Sequence, residues 1–127
     1  MGTGDRHYPV ADEENGEGYM RWPLWRVAVA ERSMEPTLRP GDWLLVSRRV
    51  RAGRPPRVRP GQVVVARHPG EPELLLVKRA IRREPNGWWL QSDNPDVHAV
   101  DSWRFGAVPP ELIEGRVLVR YWRSRPR

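Results

Sequence analysis

The sequence predicts a mainly β domain of short, mostly antiparallel strands with little helix. Three observations lead there. Fourteen prolines and eleven glycines divide the 127 residues into short stretches. Apolar runs such as 43–46, 63–65 and 74–77 have the length of strands rather than helices. No stretch sustains a helical repeat of apolar residues. The length is enough for one domain with a modest core.

Residues 1–20 are acidic, glycine-rich and poor in apolar side chains, which predicts a disordered tail. The domain proper is expected over 21–123, with a basic tail over 124–127. Arg26 to Ala30 is short and β-compatible. Ser33 to Gly41 is a loop in which Pro40-Gly41 suits the central positions of a type II turn. A strand over Asp42–Ser47 follows. Residues 48–60 hold six arginines and three prolines, which excludes a regular central strand and predicts an exposed arm. Pro60-Gly61 repeats the turn device and launches a strand over Gln62–Arg67. Another strand runs over Leu74–Arg82. Glu84-Pro85-Asn86-Gly87 reads as a hairpin turn, with a return strand over Trp88–Gln91. From Asp93 the chain is a polar loop. Residues 109–113 suit one helical turn, and Arg116–Trp122 is the last strand.

Composition removes several function classes. With no cysteine, disulfides, thiol nucleophiles and Cys-zinc sites are excluded. His7, His68 and His98 are too far apart in sequence to suggest a metal site, and no cofactor is expected. No run approaches the length of a membrane span. The first twenty residues lack a basic region followed by an apolar one, so a cytoplasmic location without a transmembrane anchor is expected. The net charge of +6 conceals an acidic beginning: residues 1–20 carry five acids and one base, and the rest carries +10. Such a surface is either simply solvated or attracts nucleic acid, anionic lipid or an acidic protein. Trp22, Trp25 and Trp43 either pack in the core or form a lip that touches a membrane surface weakly.

Of the 22 basic side chains, 21 are arginine and one is Lys78. Arginine is essentially never deprotonated, whereas a desolvated lysine can act as a base. On a strand, Leu74, Leu76 and Ala80 share the face of Lys78, and apolar neighbours disfavour the ammonium. The plainer reading is a lysine that snorkels from a half-exposed strand. Among five serines, Ser33 stands where a short strand breaks into a tight loop, as a nucleophile needs for an exposed hydroxyl and nearby backbone N–H groups. The plainer reading of Ser33 alone is a turn serine bonded to local backbone.

Ser33-Met34-Glu35-Pro36-Thr37-Leu38 with Gly41-Asp42 resembles the serine box of type I signal peptidases and their relatives. Val77-Lys78-Arg79-Ala80-Ile81 resembles that family's lysine box. Ser92-Asp93-Asn94-Pro95, followed by Asp101-Ser102 and Phe105-Gly106, resembles its later box. The three occur in the family's order and cover roughly residues 27–122. The resemblance implies the small β-fold shared by signal peptidases and LexA, and a serine endopeptidase using a Ser33–Lys78 dyad. It implies the Ser33 backbone N–H as an oxyanion donor, with Met34, Ala28 and Ala30 along the substrate groove. Pro36, Asp42, Asp93, Asn94, Asp101 and Arg104 would support the site, the last two as an ion pair.

Four positions depart from the family pattern. Glu31 stands where a hydroxyl often completes the oxyanion hole. Ala99, beside His98, stands where a serine often orients the lysine. Trp103 replaces the arginine after Asp-Ser, and Ser92 replaces the first glycine of the later box. Within the family, the short chain, the missing anchor and the "SDNP" spelling resemble the nickel-type superoxide dismutase maturation proteases. That branch implies the propeptide of a superoxide dismutase precursor as substrate and no specific nucleic acid as partner. A LexA-like self-cleaving regulator shares the dyad, but residues 1–32 offer neither a helix-turn-helix nor an Ala-Gly cleavage bond. A non-catalytic Arg-rich β module binding nucleic acid or anionic membrane explains the charge, but neither the lone lysine nor the serine box.

Overall fold

The computed structural model describes residues 24–48, 56–97 and 100–125. The expected acidic tail, most of the Arg/Pro arm, Trp22, His98 and Ala99 lie outside the described residues. Six strands form one sheet: β1 (Leu24–Ala28), β2 (Trp43–Arg48), β3 (Val63–Arg67), β4 (Leu75–Glu84), β5 (Gly87–Gln91) and β6 (Ile113–Trp122). Their order is β1-β2-β6-β3-β4-β5, with every neighbouring pair antiparallel. The mainly β expectation therefore holds. Single helical turns occur at α1 (Ser102–Phe105) and over Pro110–Leu112.

The Pro-Gly turns are formed as their sequence requires. Gly41 and Gly61 both take φ +95°, the positive value demanded at the third position of a type II turn. In each, the following amide closes the turn: Asp42 N bonds Arg39 O at 3.0 Å and Gln62 N bonds Arg59 O at 3.1 Å. The β4–β5 hairpin pairs Glu84 with Gly87 across the Pro85-Asn86 loop.

Strand β3 divides the core. Val65 joins a cluster containing Trp25, Val27, Met34, Leu44 and Val77, whereas Val64 and Ala66 join one containing Ala80, Trp88, Leu90 and Ile113. The first half of β4 is consequently buried on both faces, from Leu75 to Lys78, so Lys78 does not snorkel. Trp25 is core and only 3% exposed, which removes it from any surface lip. Trp43 is half-buried under the Arg26 guanidinium. Residues 102–105, read from sequence as loop, close into a turn because the Asp101 side chain accepts the Trp103 N–H as an N-cap. At the start of the basic tail, the Ser124 N–H bonds the buried Asp42 carboxylate at 2.7 Å.

At Gly87, a Cβ would collide with the Val108 carbonyl, because the isolated Trp88–Val108 bridge draws that chain close. Gly87→Ala is expected to destabilise the domain by about 1–3 kcal/mol, read as a lower denaturant midpoint with an unchanged slope. An unchanged midpoint would show that the 106–109 segment yields without cost.

Candidate active site

The centre of the site is a lysine with no exposure to solvent. Lys78 lies in β4 opposite Val64 of β3 and is 0% exposed. Its Nζ donates to Ser33 Oγ at 3.0 Å and to Ser92 Oγ at 3.1 Å. Ser33 is itself buried, at 6%. The two serines named above as chemically different cases, a candidate nucleophile and a departure from the family pattern, thus meet at one amine.

Ser33 is fixed by the turn that carries it and by the loop after β5. Leu38 N bonds Met34 O at 2.9 Å, closing the turn, and the Glu35–Pro36 peptide is cis. Asn94 ties down the carbonyls of the two peptides that flank Ser33: its N–H bonds Ser33 O and its Nδ2 bonds Arg32 O, each at 2.9 Å. Asp93 joins the same two segments through side chains. It accepts two bonds from Arg79, at 3.0 and 2.6 Å, and one from Thr37 Oγ1 at 2.7 Å. Arg79 therefore points away from the amine of its neighbour Lys78 and holds the loop that supplies Ser92.

Asp101 completes the loop from the other end. Its carboxylate accepts Ser92 N at 3.0 Å and Trp103 N at 3.1 Å. The expected Asp101–Arg104 ion pair gives way to these backbone amides, which lie within the loop itself; Arg104 is exposed. Asp42, fully buried, braces the serine loop by accepting Arg39 N at 2.9 Å, with Arg120 at 3.7 Å. Met34 was expected along the groove. Its side chain instead packs in the core at 1% exposure, because the closed turn directs it inward. Ala28 is half-buried and Ala30 exposed, at the end of the edge strand β1. Glu31 is half-buried. Pro36 is exposed on the turn.

The contribution of Ser92 was missed from sequence because it depends on register. Pairing from the hairpin turn outward, Glu84–Gly87 through Arg82–Trp89, would bring Asp93 opposite Lys78. A bulge at Ile81 shifts the ladder, so that Ala80 pairs with Leu90 and Arg79 with Gln91. The next step of that register brings Ser92 opposite Lys78. One inserted residue replaces a carboxylate by a hydroxyl beside the amine. Asp93 is left to bond Arg79.

Several arginines are occupied in such internal contacts. Besides Arg79, Arg67 pairs with Glu114 at 2.8 Å and Arg32 with Glu35 at 3.1 Å. Burial pushes the Asp93 carboxyl up, but the hydrogen bonds from Arg79 and Thr37 and the Arg79 charge outweigh it. Its pKa lies below the ordinary value. The same hydrogen bond raises that of Arg79. A lowered carboxyl stabilises the fold above the unfolded-state value of about 3.9, and loses that contribution as pH falls through the folded-state value. Asp93→Asn is therefore expected to cost about 1–2 kcal/mol at pH 7. In thermal unfolding measured against pH, the gap to the parent protein should close below about pH 4. A gap independent of pH would mean that the carboxylate charge is not what holds the loop.

The chain is similar to known proteases. Mitochondrial inner membrane protease subunit 1 of Xenopus tropicalis is 34% identical, over 71% of this chain and 64% of that protein. Mitochondrial ATP-independent inner membrane protease subunits 1a and 1b of Arabidopsis thaliana are 33% and 32% identical, over 49% and 65% of their own lengths. The chain thus spans about half to just under two thirds of the relatives it matches. These relatives accord with the serine-peptidase resemblance and lend no support to the superoxide dismutase branch. The Peptidase S24-like family matches residues 8–104, from before the serine box into the loop that carries Ser92 and Asp101, and the chain belongs to that family.

Proposed function

We propose that this protein is a serine endopeptidase in which Ser33 is the nucleophile and Lys78 the general base. The observation that carries this reading is the 3.0 Å contact between a wholly buried lysine amine and the hydroxyl of a serine held on a tight turn. Nucleophile and base at hydrogen-bond distance are the geometric requirement for this chemistry.

As the free amine, Lys78 accepts the Ser33 proton while Oγ attacks the peptide carbonyl carbon. The Oγ–H bond breaks as the N–H and Oγ–C bonds form, and the carbonyl π electrons move to oxygen. Collapse of that intermediate breaks the peptide C–N bond, and the Lys78 ammonium returns its proton to the leaving amine. Water then hydrolyses the acyl-serine with Lys78 again as base. Arginine cannot enter this cycle, since it does not reach the neutral form. The Ser33 N–H is assigned as an oxyanion donor. β1 lies at the edge of the sheet, where an extended peptide can add as a further strand along Ala28 and Ala30.

The substrate we assign is an N-terminal propeptide, with a nickel-type superoxide dismutase precursor as the first to test. That finer assignment rests on the "SDNP" spelling of the later box. The membrane protease relatives direct attention to other precursors. The cytoplasm is the compartment assigned with it, and cell fractionation tests that point.

The test is co-expression with the precursor and mass measurement of the precursor's N-terminus. Ser33→Ala, Lys78→Ala and Lys78→Arg are each expected to reduce cleavage by at least about a thousandfold, with no fragment of the protease itself. Processing by Lys78→Arg would sink the dyad. Intact precursor with the parent protein would remove the superoxide dismutase assignment, and fragments of the protease would favour the self-cleaving reading.

A further inference from the structure

We infer that Ser92 is the positioning residue for Lys78, its hydroxyl taking the place of the orienting serine that Ala99 lacks. The inference rests on the dyad proposed above and extends it. Three observations carry it. Ser92 Oγ stands 3.1 Å from Lys78 Nζ, nearly the distance of Ser33 Oγ on the same amine. The Ser92 main chain is fixed independently of its side chain, since its N–H bonds the buried Asp101 carboxylate at 3.0 Å. Ser92 also lines an open cavity of about 530 Å³ shared with Asp93, Asn94 and Trp103, at the end of β5 from which it reaches the amine.

The physical role follows from the four-bond stem of lysine. An amine on such a stem has several rotamers, and a general base must hold its lone pair on one proton. A second hydroxyl accepting an N–H from Nζ fixes the direction of the remaining bonds, so that the lone pair faces Ser33. When Lys78 takes the proton, Ser92 continues to accept an N–H from the ammonium, which lowers the energy of the charged form inside the site. The bulge at Ile81 makes this possible, because without it the register would set Asp93 at this position. A carboxylate there would hold the lysine as an ammonium and remove the base.

The test uses an activated ester, 4-nitrophenyl butyrate, as a probe of Ser33, with acylation followed by intact mass over a range of pH. The parent protein is expected to gain one butyryl group on Ser33, and Ser33→Ala none there. Ser92→Ala is expected to acylate about 10- to 100-fold more slowly at its plateau. Its ascending pH limb should move to lower pH, because the ammonium has lost an acceptor. Ser92→Thr, which keeps the hydroxyl, is expected to restore both rate and limb towards the parent. Ser92→Ala acylating at the parent rate with an unmoved limb would overturn the inference while leaving the dyad in place. A slower Ser92→Ala with an unmoved limb and no recovery in Ser92→Thr would assign Ser92 a merely structural part and overturn it equally. Absence of Ser33 acylation in the parent protein would overturn the dyad, and this inference with it.

Discussion

A lysine amine sealed inside a small β domain is the constraint around which the rest is arranged. Burying an ammonium without partners costs several kcal/mol, so the fold must present polar atoms to Lys78 wherever the chain can reach. It does so from two directions, with Ser33 from the turn after β1 and Ser92 from the end of β5. The hydrophobic residues around β3 and β4 keep water out, and the hydroxyls supply what the excluded water would have given. Desolvation and hydrogen bonding here are two sides of one arrangement.

Those two hydroxyls need loops held to a fraction of an ångström, and the polar residues near the site serve that end. Asn94 and Asp93 fasten the serine turn to the loop after β5, and Asp101 fastens that loop to itself. Asp42 holds the base of the serine turn against the final strand. None of these carboxylates bonds the lysine in the contacts described above. Each takes arginine guanidinium or backbone N–H groups instead. The abundance of arginine thereby acquires a local meaning at Arg79, whose planar fork grips Asp93 in a two-bond geometry that a lysine could not reproduce.

Much of this was legible in the sequence wherever chemistry is local. Pro40-Gly41 and Pro60-Gly61 announce their turns because the third position needs a positive φ, and the strands they launch follow. Lys78 stood out by composition and Ser33 by its place in a turn, and the fold brings their side chains together. Legibility ended where a result depends on register or on the direction of a side chain in a closed turn. Ser92 looked like a mere departure from a family pattern until the bulge at Ile81 set it beside the amine. Met34 follows Ser33 in sequence, yet its turn sends it into the core. Asp101 seemed to need Arg104, but its carboxylate accepts the backbone amides of Ser92 and Trp103 instead. Single-residue shifts of this kind leave no compositional trace.

Because the protein has one lysine, the central claim can be read on a single resonance. Protein labelled with ¹⁵N-lysine gives one side-chain Nζ signal, that of Lys78. The account predicts a signal protected from solvent exchange that shifts on Ser33→Ala and again, separately, on Ser92→Ala. A rapidly exchanging signal at the position of an exposed lysine, unmoved by either substitution, would contradict the claim that the two hydroxyls hold the amine.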